Sequence, residues 1–169
     1  IFERSKLKEI RHWIFDMDGT LTQDIHDFEM MKRVLEVPPD GDILTHLDSL
    51  PEADYKARHR WLEEYELKLA KASKPAKGTV ELIQYLAAQE AKLAILTRNK
   101  KELAHLTLES IGLLHYFDQS LILGRDEAAP KPHPDGVEHI LKEWGISPLE
   151  AVIVGDHEYD LGSGKNAGI

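Results

Sequence analysis

The chain has 169 residues, 42% of them hydrophobic and 30% charged, as expected of an ordinary globular domain with one sizeable core. Its formal net charge of −9 argues against nucleic acid or an anionic membrane surface as a partner. Cysteine is absent, which excludes disulfides and thiolate chemistry, and no apolar run approaches the ~20 residues of a membrane-spanning helix.

The chain opens on Ile1-Phe2-Glu3-Arg4, with no initiator Met and no apolar secretory segment. A cytoplasmic location is expected on that ground. Residues 3–10 read as a charged lead-in, and residues 11–16 as a short buried strand, because Trp13-Ile14-Phe15 is brief, aromatic and β-branched. The strand ends abruptly in two carboxylates, in Asp16-Met17-Asp18-Gly19-Thr20. Gly19 lets the chain turn and lets its backbone come close to a ligand. Acids at the carboxyl end of a buried strand sit where open α/β sheets hold their ligands. Keeping both charged there calls for a counter-charge, most simply a divalent cation.

Residues 24–36 carry a loose helical stripe of Ile25, Phe28, Met31 and Leu35, broken by Pro38-Pro39-Asp40-Gly41. A short helix is expected over 43–50. Pro51 opens a long polar helix to about residue 71, with Tyr55, Leu62, Tyr65 and Leu69 on one side. The cluster Lys56, Arg58, His59 and Arg60 reads as a solvated face of it. Residues 73–78 are a linker by composition. Residues 23–75 thus form a small helical insertion, and 1–22 with 76–169 form an α/β core.

Within that core, helices are expected over 79–88, 101–111, 134–144 and 158–167, and strands over 92–96, 120–123 and 151–154. Gly112 is the expected end of the second of these helices. Strands alternating with helices imply crossover connections, hence a mostly parallel, Rossmann-like sheet between two helical layers. Parallel strands point the same way, so Asp16 and Asp18, Thr97, Lys131, and Asp156 with Asp160 can meet at one sheet edge. His133, between two prolines, reads as solvated.

Four stretches in order carry a resemblance. They are Asp16-Met17-Asp18-Gly19-Thr20, Ile95-Leu96-Thr97-Arg98-Asn99, Pro130-Lys131-Pro132-His133-Pro134, and Gly155-Asp156 followed after three residues by Asp160. Together they resemble the four motifs of the haloacid dehalogenase-like superfamily of phosphohydrolases. The insertion resembles the helical cap of its subfamily I, the phosphoglycolate phosphatase-like group. The resemblance implies a phosphatase acting on a small phosphorylated metabolite. Asp16 would be the nucleophile and Asp18 the acid and base. Mg²⁺ would be held by the Asp16 carboxylate, the Asp18 carbonyl and Asp156. Thr97, the Arg98 backbone N–H and Lys131 would bind the phosphoryl group, with Asp160 behind them. The Arg98 side chain is expected to be solvated or ion-paired.

Relatives that dehalogenate lack an acid at the position of Asp18, and those that cleave phosphonates carry a small residue there. A phosphomutase resembling β-phosphoglucomutase keeps both acids and is the enzymatic alternative. A catalytically silent binding module is the alternative of another class. Two departures stand out. His157 follows Asp156 where such phosphatases usually have Ser or Thr, and the chain ends at Ala167-Gly168-Ile169 where they continue into another strand and helix. The sheet is therefore expected to be short at one edge, unless more chain follows. The oligomeric state is not legible in these residues.

Overall fold

Among the described residues, four short strands pair in parallel: β1 (His12–Phe15), β2 (Lys92–Leu96), β3 (Ile122–Leu123) and β4 (Ala151–Val154). Their order is β3-β2-β1-β4, so β1 lies inside the sheet with β2 and β4 as its neighbours. The computed structural model describes residues 4–169; the first residue of the expected lead-in lies outside them, and α1 (Arg4–Leu7) occupies part of the rest.

The alternation of side chains along each strand makes the three layers. Trp13, Phe15, Leu93, Ile95 and Ile122 face one way, onto Ile83 and Leu86 of α5 (Thr79–Ala88) and Ala104 and Leu108 of α6 (Lys101–Ser110). Ile14, Ala94, Leu96, Leu123 and Ala151 face the other way, onto Val137, Ile140 and Leu141 of α7 (Asp135–Trp144). Fully burying such a side chain contributes about 1.5–3 kcal/mol. The central strands, buried on both faces, are thus the firmest support the chain has for polar groups at their tips. α8 (Glu158–Asn166) follows β4, and Gly112 ends α6 with a positive φ of 75°.

Two elements differ from the sequence reading. The strand expected over 120–123 keeps only Ile122 and Leu123, because Ser120 is taken by Asp118. Asp118 Oδ1 accepts from the Ser120 amide (2.9 Å) and hydroxyl (2.7 Å), which winds residues 119–121 into a 3₁₀ turn. The helix expected from residue 24 starts only at Phe28, where Asp27 accepts from the Met30 amide at 3.0 Å and fixes the N-terminus of α2 (Phe28–Val34). 

The chain divides into two compact units, one running to Asp24 and resuming over Ser73–Ile169, the other covering Ile25–Ala72. In the first, the Gln23 amide donates to the Lys74 carbonyl and the Ala76 amide to the Leu21 carbonyl, both at 2.9 Å. These bonds tie the segment after β1 to residues 74–76. The second unit holds α2, α3 (Ile43–Asp48) and α4 (Glu52–Lys71) around Met31, Leu35, Val37, Leu47 and Leu62. Arg58 departs from the solvated face expected of α4: its guanidinium bonds the Leu35 carbonyl and the Glu36 carboxylate. No helix among the described residues is long and apolar enough to cross a membrane.

Candidate active site

The tip of β1 is shaped by Met17. Its side chain is fully buried in the same cluster as Trp13 and Phe15, so alternation directs Asp16 and Asp18 away from that cluster. Its carbonyl accepts from the amides of Thr20, Leu21 and Thr22 at 3.1, 2.9 and 3.2 Å, which folds the chain back at once. The turn passes through Gly19 at φ 79°, and a Cβ there would lie 2.4 Å from Asp156 Oδ2. No other residue type fits that approach without displacing the carboxylate. The Asp16 amide extends the ladder to the Val154 carbonyl at 2.9 Å, which locks the β1 tip to the β4 tip.

Lys131 reaches this tip from the loop after β3. It is 4% exposed, and its ammonium donates to Asp16 Oδ1 (2.9 Å), the Leu96 carbonyl (2.8 Å) and Asp160 Oδ1 (2.6 Å). Three donors meet three acceptors, so burial leaves none unsatisfied. The loop is clamped by α8, where Ser163 Oγ donates to the His133 carbonyl (2.8 Å) and Asn166 to the Pro132 carbonyl (3.2 Å). His133 Nδ1 accepts from the Asp135 amide at 3.2 Å, at the start of α7.

Asp156 follows β4. One carboxylate oxygen from each of Asp16, Asp156 and Asp160 falls within a 4.8 Å cluster. Thr20 Oγ1 lies 3.4 Å from both Asp16 Oδ2 and Asp156 Oδ1. Asp160 is committed to Lys131 and, through Oδ2, to the His157 amide at 3.2 Å. Gly155 makes room for it, since a Cβ there would sit 2.1 Å from the Asp160 carboxyl. That leaves Asp16 and Asp156 as two near carboxylates beside an ammonium shared with a third. Burial pushes the Asp16 carboxyl above its usual range; Lys131 pulls it back, and Asp156 pushes it up again. An all-oxygen donor set with surplus negative charge fits a hard divalent cation such as Mg²⁺.

His157 takes over a role that Ser or Thr often fills. Its Nδ1 accepts from the Tyr159 amide (3.2 Å) while Asp160 accepts from the His157 amide, a reciprocal cap at the start of α8. His157→Ala is expected to cost about 1 kcal/mol of folding stability, and His157→Ser to recover most of it. Thermal unfolding of both variants checks this; equal losses would show that the imidazole matters for something other than the cap.

Thr97 stands at the end of β2, held by its amide to the Leu123 carbonyl at 3.0 Å. Register places it one residue beyond the level of Asp16, since Phe15 pairs with Ile95. Its Oγ1 accepts from the Asn99 amide at 3.1 Å, which orients the hydroxyl and turns the loop. The Arg98 side chain is not simply solvated. Its guanidinium lies over the ring of Tyr159, 4.5 Å from the centroid. Asp18 lies on the same tip as Asp16, half-buried. The fold therefore brings the carboxylates of Asp16, Asp156 and Asp160 within 4.8 Å of one another, with Lys131 bonded to Asp16 and Asp160 and with Thr97 and Arg98 on the adjoining strand end. Sequence reasoning missed Thr20, the Leu96 carbonyl and Tyr159. Thr20 was within the first motif, whereas the other two give no local signal.

Residues 32–169 match the family described as haloacid dehalogenase-like hydrolase. The chain belongs to this hydrolase family. The matched residues begin after β1, so they do not include Asp16 and Asp18. Over almost its whole length the hydrolase is similar to a haloacid dehalogenase-like hydrolase domain-containing protein of Arabidopsis thaliana, at 32% identity, covering 94% of this chain and 68% of that one. It is also 31% identical to the pyrophosphatase PpaX of Halalkalibacterium halodurans, covering 95% and 81%. Its fold is similar to that of a predicted phosphoglycolate phosphatase from Haemophilus somnus, with a TM-score of 0.76 and 23% identity over 95% of this chain and 83% of that one.

Proposed function

We propose that this hydrolase cleaves a small phosphomonoester by way of a phosphoryl group carried on Asp16. The observation behind the proposal is the Lys131 ammonium, bonded at once to Asp16, Asp160 and the Leu96 carbonyl beside Asp156. In the first step an Asp16 oxygen attacks phosphorus, the ester P–O bond breaks, and Asp18 gives its proton to the leaving oxygen. In the second, Asp18 takes a proton from water, whose oxygen attacks the same phosphorus and releases inorganic phosphate and free Asp16. Thr97 and the Arg98 amide hold the phosphoryl oxygens, and the Lys131 ammonium, bonded to Asp16, offsets the charge on the nucleophile and the transferring group. The carboxylates of Asp16 and Asp156 with the Asp18 carbonyl would hold Mg²⁺, whose charge lets an anionic nucleophile meet an anionic phosphoryl group.

The similarity to proteins named pyrophosphatase and phosphoglycolate phosphatase supports a small phosphorylated substrate. In this reading the helical unit Ile25–Ala72 is the cap that selects it. Phosphoryl transfer within a sugar phosphate would use the same two acids, and comparing phosphate release with isomerisation separates the two reactions. The test of the main reading is hydrolysis of p-nitrophenyl phosphate. Activity is expected to fall at least about 100-fold in EDTA and to return with Mg²⁺. Turnover that persists in EDTA would rule the reading out, and no turnover under any condition would favour a binding module.

A further inference from the structure

The loop after β2 carries the Thr97 hydroxyl and the Arg98 amide, the two groups given the phosphoryl oxygens above. On its β3 side the loop is tied by backbone, where the Arg125 amide donates to the Asn99 carbonyl at 3.0 Å. Gly124 allows that approach, since a Cβ there would lie 2.7 Å from the Asn99 carbonyl oxygen. On the other side of β2 lies β1, and beyond it β4. The β2 and β4 tips are thus about 10 Å apart at the usual strand spacing. The Arg98 side chain bridges them. Its Cζ lies over the Tyr159 ring, 4.5 Å from the centroid, and Tyr159 stands in the first turn of α8. Its Nε is buried, so the guanidinium is seated against protein rather than extended into water.

The far end of this bridge is firmly held. The Tyr159 amide donates to His157 Nδ1 at 3.2 Å, and the two rings pack with centroids 4.2 Å apart. The next residue, Asp160, is bonded to Lys131 at 2.6 Å. The first turn of α8 is therefore the anchor, and the loop after β2 is what the contact restrains. A backbone amide stabilises a phosphoryl oxygen only if it is already in place when the charge develops.

We infer that Arg98 is a positioning residue: its guanidinium, lying over Tyr159, holds the loop after β2 so that the Arg98 amide and Thr97 meet the phosphoryl group. This rests on the phosphatase reading and adds a function for the Arg98 side chain and for Tyr159, neither of which takes part in the steps above.

Calorimetry on the intact protein reads this without turnover, with inorganic phosphate titrated in saturating Mg²⁺ and with Mg²⁺ titrated alone. Phosphate is expected to bind about 5-fold more weakly in Arg98→Gln and in Tyr159→Leu, a loss of the size that a cation over an aromatic ring supplies. If one of these variants fails to fold, the other carries the same expectation. Tyr159→Phe keeps the ring and is expected to bind phosphate as the wild type does. Mg²⁺ alone is expected to bind within about 2-fold of the wild type throughout, because the β1 and β4 tips are joined by the Asp16 amide and Val154 carbonyl and not by the loop. The double variant is expected to lose no more than either single one, which isolates this contact from whatever else each side chain touches. Unchanged phosphate binding in the single variants overturns the inference, and so do losses that simply add. Equal losses of phosphate and Mg²⁺ overturn it too, as general damage to the site. Mg²⁺-dependent hydrolysis of p-nitrophenyl phosphate alongside any of these results leaves the phosphatase reading standing and removes only this one. A wild type that neither binds phosphate nor hydrolyses the ester removes both.

Discussion

Asp16→Asn is expected to lower turnover of p-nitrophenyl phosphate by at least about 1,000-fold while leaving the fold intact. The amide has the shape of the carboxylate and can still accept from Lys131, but it is not a nucleophile toward phosphorus. The same substitution is expected to raise the stability of the metal-free protein. Burial, with Asp156 close by, raises the Asp16 carboxyl despite Lys131, so holding it ionised costs folding free energy. For an acid whose folded value is raised, that cost is full above the folded value and fades as pH falls through it. In EDTA, Asp16→Asn is therefore expected to melt above the wild type at pH 8, with the gap closing as the pH is lowered toward 4. Retained turnover would take Asp16 out of its role. A wild type that melts higher than the variant at pH 8 would mean that Lys131 outweighs burial.

Lys131→Met is expected to damage both activity and stability. It removes the one ammonium that joins Asp16, Asp160 and the Leu96 carbonyl in a site where Lys131 is 4% exposed. Removing one partner of a buried ion pair costs about 3–5 kcal/mol, because the remaining charge is left unpaired. At about 2–4 °C per kcal/mol for a chain of this size, the melting temperature falls by roughly 6–20 °C. Asp160→Asn in the same chain removes one of the two orphaned charges and is expected to restore part of the stability but none of the turnover. Scanning calorimetry on the single and double variants, beside the phosphatase assay, measures both. A Lys131→Met protein as stable as the wild type would show that the carboxylates find another partner.

The legible part of this site was the part written locally. Asp16 and Asp18 flank Met17, an apolar residue in step with Trp13 and Phe15, so a strand ending in two acids on one side could be read from alternation alone. Gly19 announced the turn, and Gly112 the end of α6. Lys131 was different. Among prolines it looks like any loop lysine, and only its place in an ordered set of motifs set it apart. β3 is shorter than its composition suggests, because Ser120 and Leu121 fit a strand while Asp118 offers Ser120 a local hydrogen bond that competes with the ladder.

By itself, the sequence determined the kind of molecule: alternating strands and helices, an acidic strand tip, a helical insertion, and the side chains available for chemistry. These follow from periods of two and of about 3.6 residues and from turn residues, all encoded within a few positions of one another. The tertiary structure decided which groups touch. The Leu96 carbonyl under Lys131, Thr20 between Asp16 and Asp156, and the Arg98 guanidinium on Tyr159 all depend on strand order and register. Such contacts join residues far apart in the chain, and a backbone carbonyl or a stacked ring leaves no pattern in the letters until the sheet has set their distance.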